Sequence, residues 1–589
     1  MRTIETSVLI IGGGGSGLCA ASFLADLGVD AVLVERHPGT SHLPKAHYLN
    51  QRTMEVLRHH GMADAVYANA APRETIGQIL WRTPLGGEEA LDRKVLKAID
   101  AMGGGAFAAI YDLHGVTPPA HLAQIHLEPV LRGIAEARNP AAILFSHALL
   151  DFTQDKLGVT ARIRDLQAEE DIMVRARYLL AADAGKTIGP AIGVKMIADT
   201  RVKTRVSVYF SADLSDYITE DTAAMHCIVN PNGIKAGDQL FSYLVAYGPR
   251  RWGRHSETWG MGLAFGPDEA ITLDAESLAR RIGAFLQVAV PITVHGYSQW
   301  FQEAMIANRF VDGRVIQIGD AVHKHPPASG LGLNSGIQDA HNICWKLASV
   351  LSGVATERLL ESYEVERRPV VARNAQHATL MMSNFPILSA ALGVAPEMPP
   401  AYNRAQLAAL LGDTADGRAR RARLDHVFAL TKGETGAHDL DLGFAYETGA
   451  LVPDGSAAPL RDPTSVRYTP SARPGSRLPH CWWSRRGQQA ISTHDLIPMG
   501  GFLLLTGPGG IRWCAAAAQV ARDLGIAIRA QRADAADNAV QHWLATCELE
   551  ENGALLVRPD GHVAFRSAEL PEDAQAELAS AMRRILGRE

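Results

Sequence analysis

Nothing in the sequence points to a metal, a membrane or a nucleic acid. The 22 histidines include no HExxH-type or carboxylate-supported cluster at ligand spacing, so a metal centre is not expected. No apolar stretch is long enough to cross a bilayer. The N-terminal MRTIETSVLIIGGGGSG runs from a short apolar segment straight into glycine, as a buried strand does and a signal peptide does not. A net charge of -6, with no local run of Lys and Arg, gives no reason to expect an anionic partner. The six cysteines, Cys19, Cys227, Cys344, Cys481, Cys514 and Cys547, form no CxxC pair. A reducing, cytoplasmic setting fits them better than a disulfide framework.

What is present is an ordinary globular composition, 47% hydrophobic and 20% charged, with 54 glycines. At 589 residues the chain exceeds a single core, so roughly two to four domains are expected. Ser7–Ile11 is a compact apolar run of the buried parallel-strand type, followed by GGGGSG and then by a helical stretch, Leu18–Leu27. A second strand, Ala31–Val34, ends at Glu35. Gly12, Gly14 and Gly17 thus satisfy GxGxxG in a strand–turn–helix–strand frame. That frame turns a helix N-terminus toward a pyrophosphate and leaves the terminal acid to accept ribose hydroxyls. A 2'-phosphate would meet like charge at Glu35, so FAD or NAD is expected there in preference to NADP. The motif does not choose between flavin and nicotinamide, and on its own it also suits a glycine-rich loop that binds nothing.

A second glycine-rich segment lies far downstream. Val315–Ile318 reads as a strand and leads through Gly319-Asp320 and Pro326-Pro327 to Gly330, Gly332, Leu333, Asn334 and a helix over His341–Val350. An acid at a strand end can bond a polyol, a proline pair makes a stiff wall, and the following helix start can face an anion. Two such sites suggest a long cofactor gripped at both ends; a rigid surface loop is the plainer alternative.

With these blocks on the page, the chain resembles the single-component, class A FAD-dependent aromatic hydroxylases, in particular the phenol and 2,4-dichlorophenol 6-monooxygenase branch. The resemblance implies non-covalent FAD, held at the adenosine end by Gly12, Gly14, Gly15, Gly17, Glu35 and Arg36. Arg52, within KAHYLNQRTME, would lie near the ribityl and pyrophosphate, Gln124 would contact the flavin, and Asp320 would bind the ribityl chain. Pro327, Gly330, Gly332, Leu333 and Asn334 would adjoin the ring. Asp183 matches an aspartate–glycine motif that touches FAD and bears on nicotinamide use, but Ala184 stands where its first glycine belongs. A positive φ is less expected there.

The resemblance also implies the reaction: NADPH or NADH as a transient reductant, O2, and a C4a-hydroperoxyflavin that oxygenates a phenol-like ring ortho to its hydroxyl. His47, five residues before Arg52, is the candidate base or acceptor for that hydroxyl, since imidazole titrates near neutrality. A histidine bonded to its own loop is the alternative. Tyr297 and Trp300 are weak candidates for the substrate pocket, with core packing the competing reading. His323 and His325 either contact flavin or satisfy backbone.

The expected fold is α/β. A discontinuous Rossmann-like FAD domain covers 1–190 and 296–390, a substrate-binding sheet domain is inserted at 191–295, a linker or crossover spans 391–424, and 425–589 form a thioredoxin-like domain. Lacking CxxC, that last domain reads as structural or oligomer-forming, and a homo-oligomer, at least a dimer, is expected. A polyketide, pyridinol or antibiotic intermediate could replace the small phenol. A flavin dehydrogenase or a nucleotide-binding scaffold is a more distant reading. A flavin halogenase would need a WxWxIP-like context, which Trp482-Trp483 does not supply.

Overall fold

The strand Arg2–Ile11 is buried on both faces over its last four residues, which decides where it sits. In the computed structural model it forms the middle of a mixed sheet in the order Val311–Asp312, Val315–Gln317, Glu170–Ala181, Arg2–Ile11, Ala31–Glu35, Ile143–Phe145. The last five of these run parallel. Val8 and Ile10 face the helices Gly15–Asp26 and Leu331–Leu351, while Leu9 and Ile11 pack on the opposite face. A continuous apolar run is what a doubly covered parallel strand requires. The structure describes residues 2–233, 239–264, 273–483, 490–535 and 537–589, with the backbone alone at 198–205, 300–302 and 538.

A second sheet is inserted. Its order is His323–Lys324, Thr293–Ala307, Met196–Ser211, Trp259–Leu263, Phe241–Ala246, Ala223–Val229, Gln78–Arg82, Val95–Asp100. The last two strands come from well inside residues 1–190, so that stretch does not belong to the FAD domain throughout, while the chain enters the sheet again at Met196. Ala223–Val229 pairs in parallel with Gln78–Arg82, a long-range match that no local pattern announces. One face of this sheet packs Val206, Val208, Phe210 and Met261 against Leu278, Ile282 and Phe285 of the helix Ala275–Leu286. The other carries Tyr209, Tyr243, Tyr247, Met225 and Cys227, which alternation turns toward the FAD domain.

The segment expected as a linker is helical. Phe385–Leu392, Pro400–Leu411 and Ala415–Leu430 bury Leu388, Leu392, Leu407, Leu424 and Phe428 against Ile79 and Trp81 of the inserted sheet. The prolines that suggested a linker sit in the first helical turns, where no backbone donor is lost.

The C-terminal part has strands Phe502–Thr506, Ile528–Arg532, Ala554–Val557 and Val563–Ser567 with helices Ile511–Leu524, Asn538–Cys547 and Ala574–Ile585. Its sheet order is Ile528–Arg532, Phe502–Thr506, Ala554–Val557, Val563–Ser567. Phe502 and Trp513 share one apolar core with Trp345 and Leu347 of the long helix, so this part is fused to the FAD domain. All six cysteines are free thiols. Among the described residues no helix is long and apolar enough to cross a membrane, and no group of three metal-ligating side chains forms.

Candidate active site

The first glycine turn is built for close approach. A Cβ at Gly17 would lie 2.0 Å from the Gly12 carbonyl oxygen, while one at Gly14 meets nothing nearer than Glu128 Oε1 at 3.7 Å. The helix beginning at Gly15 has no side-chain cap and no acid in its first turn, so its leading amides stay available to an anion. Glu35 is held at its strand end by the amides of Gly13, 2.7 Å from Oε2, and His37, 2.8 Å from Oε1. Arg36 is exposed beside it.

The second glycine segment closes on the first. A Cβ at Gly336 would strike Ser16 Oγ at 2.3 Å, and one at Gly15 would strike Leu333 Cδ1 at 2.7 Å. The helix Leu331–Leu351 likewise starts without a side-chain cap or a first-turn acid, from Gly330 at φ 63°. Asp320 is exposed between the buried Gly319 and Ala321, and Pro327 is exposed beside the buried Pro326. Two segments some three hundred residues apart therefore meet, each with a free helix N-terminus, with Glu35 fixed by amides at the end of one strand and the exposed Asp320 at the end of the other. These residues fit a long dinucleotide such as FAD.

Gln124 begins the helix Gln124–Arg138. Its amide nitrogen Nε2 donates to Glu128 Oε1 at 2.6 Å, and its backbone N–H donates to the Ala46 carbonyl at 2.8 Å. Lys45, one residue away, is an exposed cation that the sequence reading passed over.

Arg52 is not that cation. It is buried in the helix Gln51–His59, where its guanidinium donates to the Asp560 carbonyl at 2.5 Å and pairs with Glu55 at 3.3 Å. With Gln338, His341 and Asp560 it lines a cleft against the C-terminal part. The expectation that it reaches the cofactor is corrected: its partners lie across the domain joint.

Three further expectations change. The Asn334 side chain is consumed internally, donating to the carbonyls of Tyr48 and Gly330 and accepting from the Asn50 amide. Asp183 spends both carboxylate oxygens on the amides of Gly185, Thr187 and Ile188. Ala184 does take a positive φ, 58°, because that carboxylate ties down the turn on its far side.

Tyr297 packs with the core cluster beneath the helix Ala275–Leu286 and donates its hydroxyl to the Leu273 carbonyl at 2.5 Å. It pairs with Val208 and so faces away from Tyr247, which removes it from the pocket. The Trp300 side chain lies outside the described residues. His323 bonds Asp339 at 2.6 Å with no exposure, and His325 bonds the Val371 carbonyl at 3.1 Å.

The strand Tyr48–Leu49 pairs with Ala120–His121, beside Gly330 and Asn334. His47, just before it, has its ring centroid 6.1 Å from that of Tyr247, and Tyr209 continues this aromatic wall. Gly260 and Gly262 make this wall possible, since a Cβ at either would sit 2.2 Å from Tyr247 or 2.4 Å from Tyr243. Alternating glycine in WGMGL was the one sequence signal for rings lying flat on a strand.

His47 Nδ1 is 3.2 Å from His121 Nδ1, and His121 Nε2 is 2.8 Å from the Ala246 carbonyl. Burial, reinforced by His121, pushes His47 down to about 3, so the near-neutral titration expected of it does not apply. Further along the same wall, Cys227 faces Glu434, whose carboxyl burial pushes up to about 7. Neither His121 nor Glu434 was visible in the sequence, because their neighbours are distant in the chain.

Residues 5–378 match the FAD binding domain family, and residues 471–589 match the aromatic-ring hydroxylase C-terminal domain. The chain is 35% identical over 594 residues to a 2,4-dichlorophenol 6-monooxygenase of Cupriavidus pinatubonensis, covering 100% of this chain and 97% of that protein. It is 34% identical over 612 residues to a tetracenomycin A2 monooxygenase-dioxygenase of Streptomyces glaucescens, covering 100% and 98%. A crystal structure of the flavin-dependent monooxygenase PieE in complex with FAD and substrate aligns with a TM-score of 0.91 at 34% identity, over 100% of both chains.

Proposed function

The chain belongs to the FAD-dependent aromatic-ring hydroxylases, and from that premise we propose that it hydroxylates a phenolic ring at the carbon ortho to the hydroxyl, with NADPH or NADH as transient reductant. The observation that carries the reading is His47. Its Nε2 has no partner among the described residues, its ring lies beside Tyr247, and it is one residue from Tyr48, whose ring adjoins Gly330. A neutral imidazole pushed down to about 3 is a weak base but a sound hydrogen-bond acceptor. Pulling on a phenolic O–H raises electron density at the ortho carbon, which an electrophilic oxygen requires.

FAD, when bound, supplies hydride acceptance and oxygen activation; the chain supplies position and dryness. Gly12, Gly14, Gly15, Gly17 and Glu35 would hold the adenosine end, with Lys45 as the nearby cation for the phosphates. Gln124, Asp320 and the amides following Gly330 would hold the ribityl and ring end. Pro327, Gly332 and Leu333 would bound the ring. Tyr209, Tyr243 and Tyr247 keep water from the substrate by covering the sheet.

A second reading, a larger polyketide-type phenol, is favoured by the likeness to the tetracenomycin A2 monooxygenase-dioxygenase. One experiment separates them. FAD-loaded enzyme is given NADPH or NADH, 18O2 and a panel running from 2,4-dichlorophenol to multi-ring phenols, with product and hydrogen peroxide both measured. Label in an ortho-hydroxylated single-ring product supports the first reading, and label only in multi-ring products supports the second. Reductant oxidised entirely to peroxide with every phenol overturns both.

A further inference from the structure

The two imidazoles beside the aromatic wall carry information that neither carries alone. His121 Nε2 lies 2.8 Å from the Ala246 carbonyl oxygen, which can only accept, so the proton of that contact belongs to His121 Nε2. Burial pushes His121 down to about 4 and His47 to about 3, so each ring is neutral at pH 7 and holds one proton. His121 Nδ1 is then a bare lone pair. It faces His47 Nδ1 at 3.2 Å, and the contact is a hydrogen bond only if His47 Nδ1 carries the proton. His47 Nε2, which has no partner among the described residues, is left with a lone pair free to accept.

This is not the default state. An imidazole in water favours the Nε2–H form, in which that nitrogen would donate and not accept. The bias comes from another domain, because Ala246 ends a strand of the inserted sheet, while His121 lies in the strand paired with Tyr48–Leu49 of the FAD domain and His47 immediately precedes that strand. Trp252, edge-on to His121 at 5.6 Å, and Tyr247, tilted against His47, enclose the pair without offering it a charge.

We propose that His121 is a positioning residue for hydroxylation: by relaying the Ala246 carbonyl to His47, it fixes His47 as the Nδ1–H tautomer and presents Nε2 as acceptor to the substrate hydroxyl. This rests on the reading of His47 given above. It also makes the competent acceptor conditional on the inserted sheet being docked.

The test uses FAD-loaded enzyme with 15N-labelled histidine imidazoles, the His47 signals being assigned by their loss in His47→Gln. The wild type should show a protonated-type Nδ1 and a pyridine-type Nε2 at His47. His121→Phe should reverse that pattern and lower product formed per reductant by roughly tenfold, the worth of about 1.4 kcal/mol, while FAD occupancy is retained. His121→Gln, whose amide can donate to Ala246 and accept from His47 together, should restore both readouts. A pyridine-type Nδ1 at His47 in the wild type, or an unchanged pattern in His121→Phe, overturns the inference. The substrate reading is judged separately: normal coupling in His47→Leu, which removes the acceptor, overturns it, whatever tautomer the spectra show.

Discussion

Two polar clusters share the helix Leu331–Leu351, one at its N-terminal end and one along its middle turns, and their electrostatics are opposite. At the N-terminal end, His47, His121, Glu434 and Asp441 are held toward their neutral forms; burial pushes Asp441 up to about 8 against the opposing Asn50 bond. Along the middle, the carboxylates are held ionised by cationic partners. Glu366 accepts from Lys346 at 2.7 Å and from both terminal nitrogens of Arg558, at 2.7 and 2.9 Å, and Asp560 also pairs with Arg558. Asp339 joins His323 to Arg367, and Glu55 joins Arg52 to Arg477. Burial pushes Glu366 up, but Arg558 and Lys346 overturn that and hold it at about 2. The difference separates two tasks. A joint between domains needs satisfied charges, because a lone buried ion is costly. A site for an uncharged aromatic needs polar groups with one valence left open.

The sharpest way to break the comparison is to unpair the joint. Glu366→Ala strands Lys346 without its bonded counter-ion, leaves Arg558 with Asp560 alone, and should cost about 3–5 kcal/mol, read as a lowered urea midpoint with the C-terminal part released first in limited proteolysis. A midpoint unchanged from wild type would make the joint ornamental.

pH should pull the two clusters apart. Glu55, Glu366 and Asp339 are each held at about 2, below the unfolded value near 4. Each therefore contributes stability that is full above about pH 4 and lost as pH falls toward 2, of order 3 kcal/mol per carboxylate. Asp441 is displaced the other way, so its effect reverses: the folded state binds the extra proton, and stability is lost as pH rises from about 4 toward 8. Unfolding midpoints across that range should show both limbs, and Asp441→Asn should shrink the alkaline limb to the part that Glu434, pushed up to about 7, contributes, leaving the acid limb unchanged. A flat profile in the wild type would contradict both assignments.

In the neutral cluster, His47→Leu should keep FAD and global stability while product formation falls by about 10²-fold, the lower end for losing a positioned proton acceptor. The check is peroxide released per reductant consumed, which should rise toward unity. A fall in FAD content of the same size would move His47 from the substrate to the cofactor.

The same contrast explains what could be read from the chain. The glycine turns were legible because their spacing answers to backbone geometry within one strand–turn–helix unit, and their convergence at Ser16 and Leu333 followed. Arg52 was misread because a guanidinium near a nucleotide motif looks like a phosphate ligand, whereas its acceptor, Asp560, lies 508 residues on. His121 carried no local pattern; it acquires its role from the register Tyr48↔His121 and from a carbonyl on another sheet. The helices over residues 385–430 were mistaken for a linker because their apolar positions only become a face once Ile79 and Trp81 stand opposite.

The smallest expected effect tests whether strain at Ala184 belongs to function or is merely tolerated. At φ 58° its Cβ sits in the left-handed region, at a cost of roughly 1–2 kcal/mol for a non-glycine residue. Glycine would remove that cost but add about 0.5–1 kcal/mol of unfolded-state freedom, so Ala184→Gly should stabilise the protein by about 0.5–1 kcal/mol. The bonds from Gly185, Thr187 and Ile188 to Asp183 would persist, because they restrain the backbone whatever stands at 184. A rise of that size with an unchanged Michaelis constant for NADPH and NADH means the turn is shaped by Asp183 alone. A rise accompanied by tighter reductant binding means the alanine Cβ obstructs the reductant proposed above.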